Sequence, residues 1–237
     1  MSFSKTQVDR AGRELSQFFV AAAEGRGARL DGDERERLLH VVDVVEWWRR
    51  DHSKGLSRVA ANLRYYASEQ GLPTVAQRLK KFPSITGKLI RQRSMRLAQM
   101  ADIGGVRAVL PNLEAVQQVA VRLRRNWTIT DTADYVTNPK AEGYRAIHLV
   151  NKHRGRLIEV QLRTPRQHSW ANAVEADARR YAPGLKWGIG PVELTEFYSV
   201  AGKVLASVDA GELPDPDLMA EAERLQERAA TFRREQG

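Results

Sequence analysis

The alternation of apolar and polar positions is sharpest between residues 143 and 164, where GYRAIHLV and RLIEVQLRT flank a basic turn from Asn151 to Gly155. Both runs carry β-type residues, so they predict two strands of one hairpin. Successive side chains of a strand point to opposite faces, which sets Ile158, Val160 and Leu162 against Glu159, Gln161 and Arg163. By the same rule His148 leaves the face of Ile147 and Leu149 and joins the polar surface of Glu159. Upstream, DIGGVRAVL at 102–110 predicts a strand carrying Arg107 and preceded by Asp102. Trp127 to Asp131 predicts a short strand, and 134–142 a polar loop.

Helical spacing dominates elsewhere. Val8, Leu15, Phe18, Phe19 and Ala22 predict a helix that ends toward Gly25, Gly27 and the acidic turn Asp31 to Glu34. Further helices are predicted over about 34–50, where Trp47 and Trp48 read as core, and over about 56–70. A helical stretch from Val75 breaks at Pro83, and a new helix starts with Ser84 as its N-cap. Helices follow over 112–125, over 167–181 after Pro165, and over about 191–206 and 216–234. Leu218, Leu225 and Phe232 repeat every seven residues, over too short a run for a coiled coil. The expected class is α+β: a mixed β-sheet of about five strands flanked by helices. Residues 1–74 and 182–237 form helical extensions around a central domain, 75–181.

Composition then narrows the chemistry. The 237 residues are 42% hydrophobic and 28% charged, with a net charge of +9 and a pI near 10.0. That balance favours polyanionic partners, nucleotides or nucleic acid. Zero cysteines exclude disulfides and thiolate chemistry. No apolar run approaches membrane-spanning length and no signal peptide opens the chain, so a cytoplasmic protein without membrane association is expected. Between Arg78 and Arg107 eight Lys or Arg stand against Asp102 alone. A solvated helix face would explain such a run. Set beside an acid ahead of one strand and another within a strand, it is also the composition that metal-assisted phosphate transfer needs.

The ordered segments RLKKFPSITGKL, DIGGVR, NPKAEGYRAIH, EVQLRT and WANAVE resemble the synthetase domain of the RelA/SpoT family, from about Val75 to Tyr181. Several motifs in order are far more specific than any one. The resemblance implies a nucleotidyltransferase-like fold and a pyrophosphotransferase that moves a pyrophosphate from ATP to a ribose 3′-hydroxyl, releasing AMP. Carried over residue by residue, Arg78, Lys80, Ser84 and Lys88 hold ATP. Asp102 is the first ligand of Mg2+; Glu159 completes that coordination or removes the proton of the attacking hydroxyl. Arg107 neutralises charge on the transferred group. Lys140, Tyr144, His148, Gln161, Arg163 and Glu175 serve the acceptor, with the Tyr144 ring stacking on its base.

Long members of the family place a hydrolase domain ahead of the synthetase and regulatory domains behind it. The flanking segments are too short for either, so the expectation is a stand-alone synthetase unable to reverse its own reaction. Small members divide into alarmone makers, which use GDP or GTP, and toxins, which modify the 3′ CCA end of tRNA or make the adenosine analogue. Here tRNA is read ahead of a free guanine nucleotide, with an antitoxin protein as the partner such a toxin implies. The charge exceeds what one nucleotide requires, and Lys152, Arg154 and Arg156 make a basic hairpin tip read as RNA contacts. AEGYRA also departs from a PNGYRS-like pattern at Glu142 and Ala146. The alternative is (p)ppGpp synthesis. A third reading, a decayed RNA-binding module, is opposed by the joint presence of Asp102, Arg107, Tyr144 and Glu159. A homo-oligomer stays open.

Overall fold

The structure, a computed structural model, describes residues 2–25 and 31–236. Its centre is a five-stranded sheet made of β1 (Thr74–Leu79), β2 (Gly104–Val109), β3 (Ile129–Asp134), β4 (Ile147–His153) and β5 (Arg156–Arg163), in the spatial order β1-β2-β5-β4-β3. β2 and β5 run parallel and the other pairs antiparallel. The mixed sheet and the α+β class are as expected. β1 is not: Val75 lies in a strand rather than a helix. Pairing along the whole of β2, from Thr74 against Val109 to Leu79 against Gly104, overrides the local helical pattern. The hairpin turn contracts to Arg154 and Gly155, both with positive φ (47° and 77°), the backbone that two-residue hairpins require. At the other end, Gly143 has a φ of 95° and the chain pairs only from Ile147.

One face of the sheet is covered by α2 (Gly32–Ser68) and α4 (Leu113–Asn126). Leu56, Val59 and Leu63 of α2 and Val116, Val119 and Leu123 of α4 pack there on Val106, Leu149, Ile158, Val160 and Leu162. The two helices expected within 34–70 are one helix of 37 residues. Gly55 does not break it. A Cβ there would lie 3.3 Å from Ile158 Cδ1, so the glycine lets α2 approach the sheet closely. Asp31 and Glu34 start this helix with a reciprocal capping box. Gly27, expected at the end of the preceding helix, lies outside the described residues.

Two further clusters frame the sheet. α1 (Lys5–Ala23), the first half of α2 and α3 (Phe82–Arg91) bury Val8, Leu15, Trp48, Ile85, Leu97 and Ile103 together. In the other, α5 (Pro165–Arg180), α6 (Val192–Asp209) and α7 (Pro216–Glu235) enclose Trp170, Val174, Leu194, Tyr198 and Ala229. α5 begins as expected for a Thr-Pro start: Thr164 and Gln167 form a capping box, with Pro165 in the first turn. Leu225 of α7 is buried and Phe232 packs into the third cluster, so the seven-residue repeat serves internal packing. No helix among the described residues is long and apolar enough to cross a membrane.

Candidate active site

The uncovered face of the sheet is polar, and strand register decides which side chains share it. One row across the strands runs Arg78, Gly105, Glu159, Val150; the next runs Ala76, Arg107, Gln161, His148. Arg163 follows on β5, opposite Val109. Gly105 puts no side chain between Arg78 and Glu159, which leaves room on the surface between a cation and an acid.

Asp102 sits in the turn ahead of β2. Lys80, just past β1, donates to its Oδ2 at 2.8 Å, and Lys88 of α3 donates to its Oδ1 at 3.0 Å. Burial alone would raise the pKa of this carboxyl, but the two ammonium groups outweigh it and hold Asp102 below its ordinary value. Lys80 is itself fixed by its backbone: its N–H donates to the Ile103 carbonyl at 2.8 Å, and its carbonyl accepts from Arg49 Nε at 2.7 Å. Ser84 is not the N-cap expected. Lys81 caps α3, and Phe82 and Pro83 occupy its first positions because the fixed φ of proline suits a helix start. Ser84 is exposed in the first turn, with its N–H directed to the Lys81 carbonyl at 2.9 Å.

Glu159 is held at both oxygens. His148 Nδ1 lies 3.1 Å from Oε1, and Gln161 Nε2 donates to Oε2 at 2.7 Å. Burial would raise its pKa too, but the contact with His148 prevails and the carboxyl stays below its ordinary value. Asp102 is near enough for its charge to oppose that lowering. Tyr144, from the loop before β4, bonds to His148 Nε2 at 2.6 Å and accepts from Arg163 at 2.7 Å; burial raises its pKa. Arg107 is depressed from its ordinary value by burial and then by the neighbouring Arg163 and Arg78, while Glu175 of α5 works the other way. Glu175 also lies 3.6 Å from Lys186. The ammonium of Lys140 stands 5.3 Å from the Tyr144 ring centroid and 5.0 Å from that of Tyr135.

Register thus brings Arg78, Lys80, Lys88, Asp102, Arg107, Lys140, Tyr144, His148, Glu159, Gln161, Arg163 and Glu175 around one surface, with Ser84 on the adjoining helix. The hairpin tip does not follow as a unit. Lys152 and Arg154 are exposed. Arg156 has the parity of Ile158 and turns to the covered face, where it pairs with Asp51 at 2.5 Å and lies 3.9 Å from a Trp48 ring centroid. It is therefore not the surface RNA contact expected. Tyr135 is absent from the residues singled out by sequence, although it packs edge-on to both Tyr144 and His148. A signal for it exists, since Asp131, Ala133 and Tyr135 continue one strand parity into the loop read as merely polar.

Among the described residues no group of three or more His, Cys, Asp or Glu could hold a metal ion by itself. Asp102 and Glu159 are near enough for their charges to act on one another, and Mg2+ is commonly bound by one or two carboxylates together with substrate phosphates and water.

The description "Region found in RelA / SpoT proteins" matches residues 77–184. A GTP pyrophosphokinase of Bacillus subtilis, YjbM, is 33% identical over 126 residues, 47% of this chain and 58% of the relative. A GTP pyrophosphokinase of Photobacterium angustum is 28% identical over 187 residues, 76% of this chain but 24% of the relative. The chain thus spans from a quarter to little more than half of these relatives. Small alarmone synthetase 1 of Bacillus subtilis, solved bound to its product pppGpp, shares the fold with a TM-score of 0.60 at 22% identity, covering 70% of this chain and 94% of that one. Residues 77–184 thus carry the region found in RelA/SpoT proteins.

Proposed function

We propose that this chain transfers the β,γ-pyrophosphate of ATP to the ribose 3′-hydroxyl of a guanine nucleotide. The observation that carries the reading is the placement of two ionised carboxylates, Asp102 and Glu159, within one cationic surface built by Arg78, Lys80, Lys88 and Arg107. In the reaction the 3′-oxygen attacks the β-phosphorus, the bond to the α,β-bridging oxygen breaks, and AMP leaves. The hydroxyl proton goes to Glu159, provided that residue serves as the base. Arg78, Lys80, Ser84 and Lys88 receive the phosphates of ATP, and Arg107 offsets charge on the transferred group. Mg2+, held by Asp102 with Glu159, would neutralise the polyphosphate. The acceptor base stacks on Tyr144, between Lys140 and the His148 edge.

A guanine nucleotide takes precedence over tRNA for two reasons. The relatives above are named for GTP, and one solved neighbour carries pppGpp. The basic hairpin tip invoked for RNA has lost Arg156 to the other face. The departures from the PNGYRS-like pattern also lose force. Ala146 is wholly buried, and Glu142 lines a cleft with Trp187, Arg224 and Arg228 that does not include Tyr144.

Incubation of the protein with labelled ATP and, in separate arms, GDP, GTP, ATP alone and bulk tRNA tests the acceptor. Label is expected in guanosine tetra- or pentaphosphate, with only a mild loss of rate on added salt. Label confined to tRNA, falling steeply with salt as multiple phosphate contacts require, would replace this reading with the toxin one.

A further inference from the structure

Five side chains on the polar face close into one ring of hydrogen bonds, and chemistry fixes the direction at the guanidinium and at the carboxylate. An arginine can only donate, and a terminal nitrogen of Arg163 does so twice, to the Tyr144 hydroxyl at 2.7 Å and to Gln161 Oε1 at 2.8 Å. Gln161 Nε2 then donates to Glu159 Oε2 at 2.7 Å. The Tyr144 hydroxyl, having accepted from Arg163, also pairs with His148 Nε2 at 2.6 Å. At its other nitrogen, His148 faces Glu159 Oε1 at 3.1 Å, and because a carboxylate only accepts, Nδ1 carries a proton. Two arms run from one guanidinium to the two oxygens of one carboxylate.

The arrangement also accounts for a buried charge. Arg163 is 6% exposed and makes no ion pair with a carboxylate among the described residues. A buried cation left without compensation is costly, and here the compensating anion is reached through Tyr144 and His148 on one side and Gln161 on the other.

We propose that Arg163, Tyr144 and His148 are positioning residues that aim Glu159 at the attacking 3′-hydroxyl, so that the hydroxyl of Tyr144 acts separately from its ring. The proposal rests on the place given to Glu159 in the reaction above. It moves Arg163 from a contact with the acceptor to a support for the carboxylate. One side chain then sets both the seat of the acceptor base and the aim of the group that receives its proton, so the two are aligned together.

Tyr144→Phe keeps the ring and removes one link, while Gln161→Ala removes the other arm and serves where Tyr144→Phe fails to fold. With ATP and GDP, each variant is expected to lose about 10- to 100-fold in kcat, the range seen when an outer partner of an active-site group is removed. The KM for GDP should stay near wild type in Tyr144→Phe and rise in Tyr144→Ala. An unchanged kcat, or a loss lying wholly in the KM for GDP, overturns the proposal. Nitrogen NMR of the His148 ring in the ligand-free protein reads the network without any reaction. A proton on Nδ1 is expected, with the Nε2 signal displaced in Tyr144→Phe; an Nδ1 without a proton in the wild type overturns the ring. The expected spectra with no transfer to any acceptor would instead overturn the proposed reaction, and with it the role given to the ring.

Discussion

Glu159→Gln is expected to abolish measurable transfer while the protein keeps its fold. The substitution preserves size and removes one charge, and positioned proton transfer alone contributes about 10²- to 10⁴-fold to a rate. The effect should fall on kcat, since the substituted amide keeps one oxygen to accept from a neighbour. Gln161 or the His148 ring keeps that oxygen and the other donor faces the amide nitrogen, so the melting temperature should fall modestly without loss of the fold. Near wild-type turnover at saturating magnesium would remove Glu159 from the chemistry. A collapse of the fold would instead make this carboxylate a structural member of the sheet face.

Asp102→Asn is the second substitution expected to abolish transfer, for a different reason. Asp102 is the charge around which Lys80 and Lys88 converge, at 2.8 and 3.0 Å. In the proposed reaction those ammonium groups would turn to the phosphates of ATP, and the carboxylate would be free for the cation. An amide can do neither: it leaves two lysines unneutralised beforehand and supplies no anionic ligand afterwards. Raising the magnesium concentration should therefore fail to restore the rate, and titration of ATP should show a larger defect than titration of GDP. Full activity in Asp102→Asn, or a defect confined to GDP, would reverse the assignment of the two substrates.

Much of this surface is legible in the chain because β-alternation is a local rule. It places Glu159, Gln161, Arg163 and His148 on one face, and the helices read over 112–125 and 167–181 lie within two residues of α4 and α5. Applied to the end, the same rule also turns Arg156 inward with Ile158 and puts Tyr135 beside His148. Other features depend on contacts distant in sequence. Arg78 reaches the site because β1 pairs with β2 across more than twenty intervening residues, which no local pattern reports. The continuity of α2 past Gly55 depends on the close approach of Ile158 and His153, a hundred residues away. The hydrogen-bond ring is legible in its members, since the family resemblance assigns four of the five to the acceptor and Glu159 to catalysis. Its connectivity, from Arg163 to Glu159, follows only from distances in the structure.

The central claim is that the group transferred is pyrophosphate and that it goes to a 3′-oxygen. Phosphorus NMR of a reaction of the protein with ATP, GDP and magnesium tests this most directly. The account predicts AMP and guanosine 5′-diphosphate 3′-diphosphate in equal amounts, with no accumulation of ADP. Formation of ADP, or of free pyrophosphate with GDP unchanged, would contradict it.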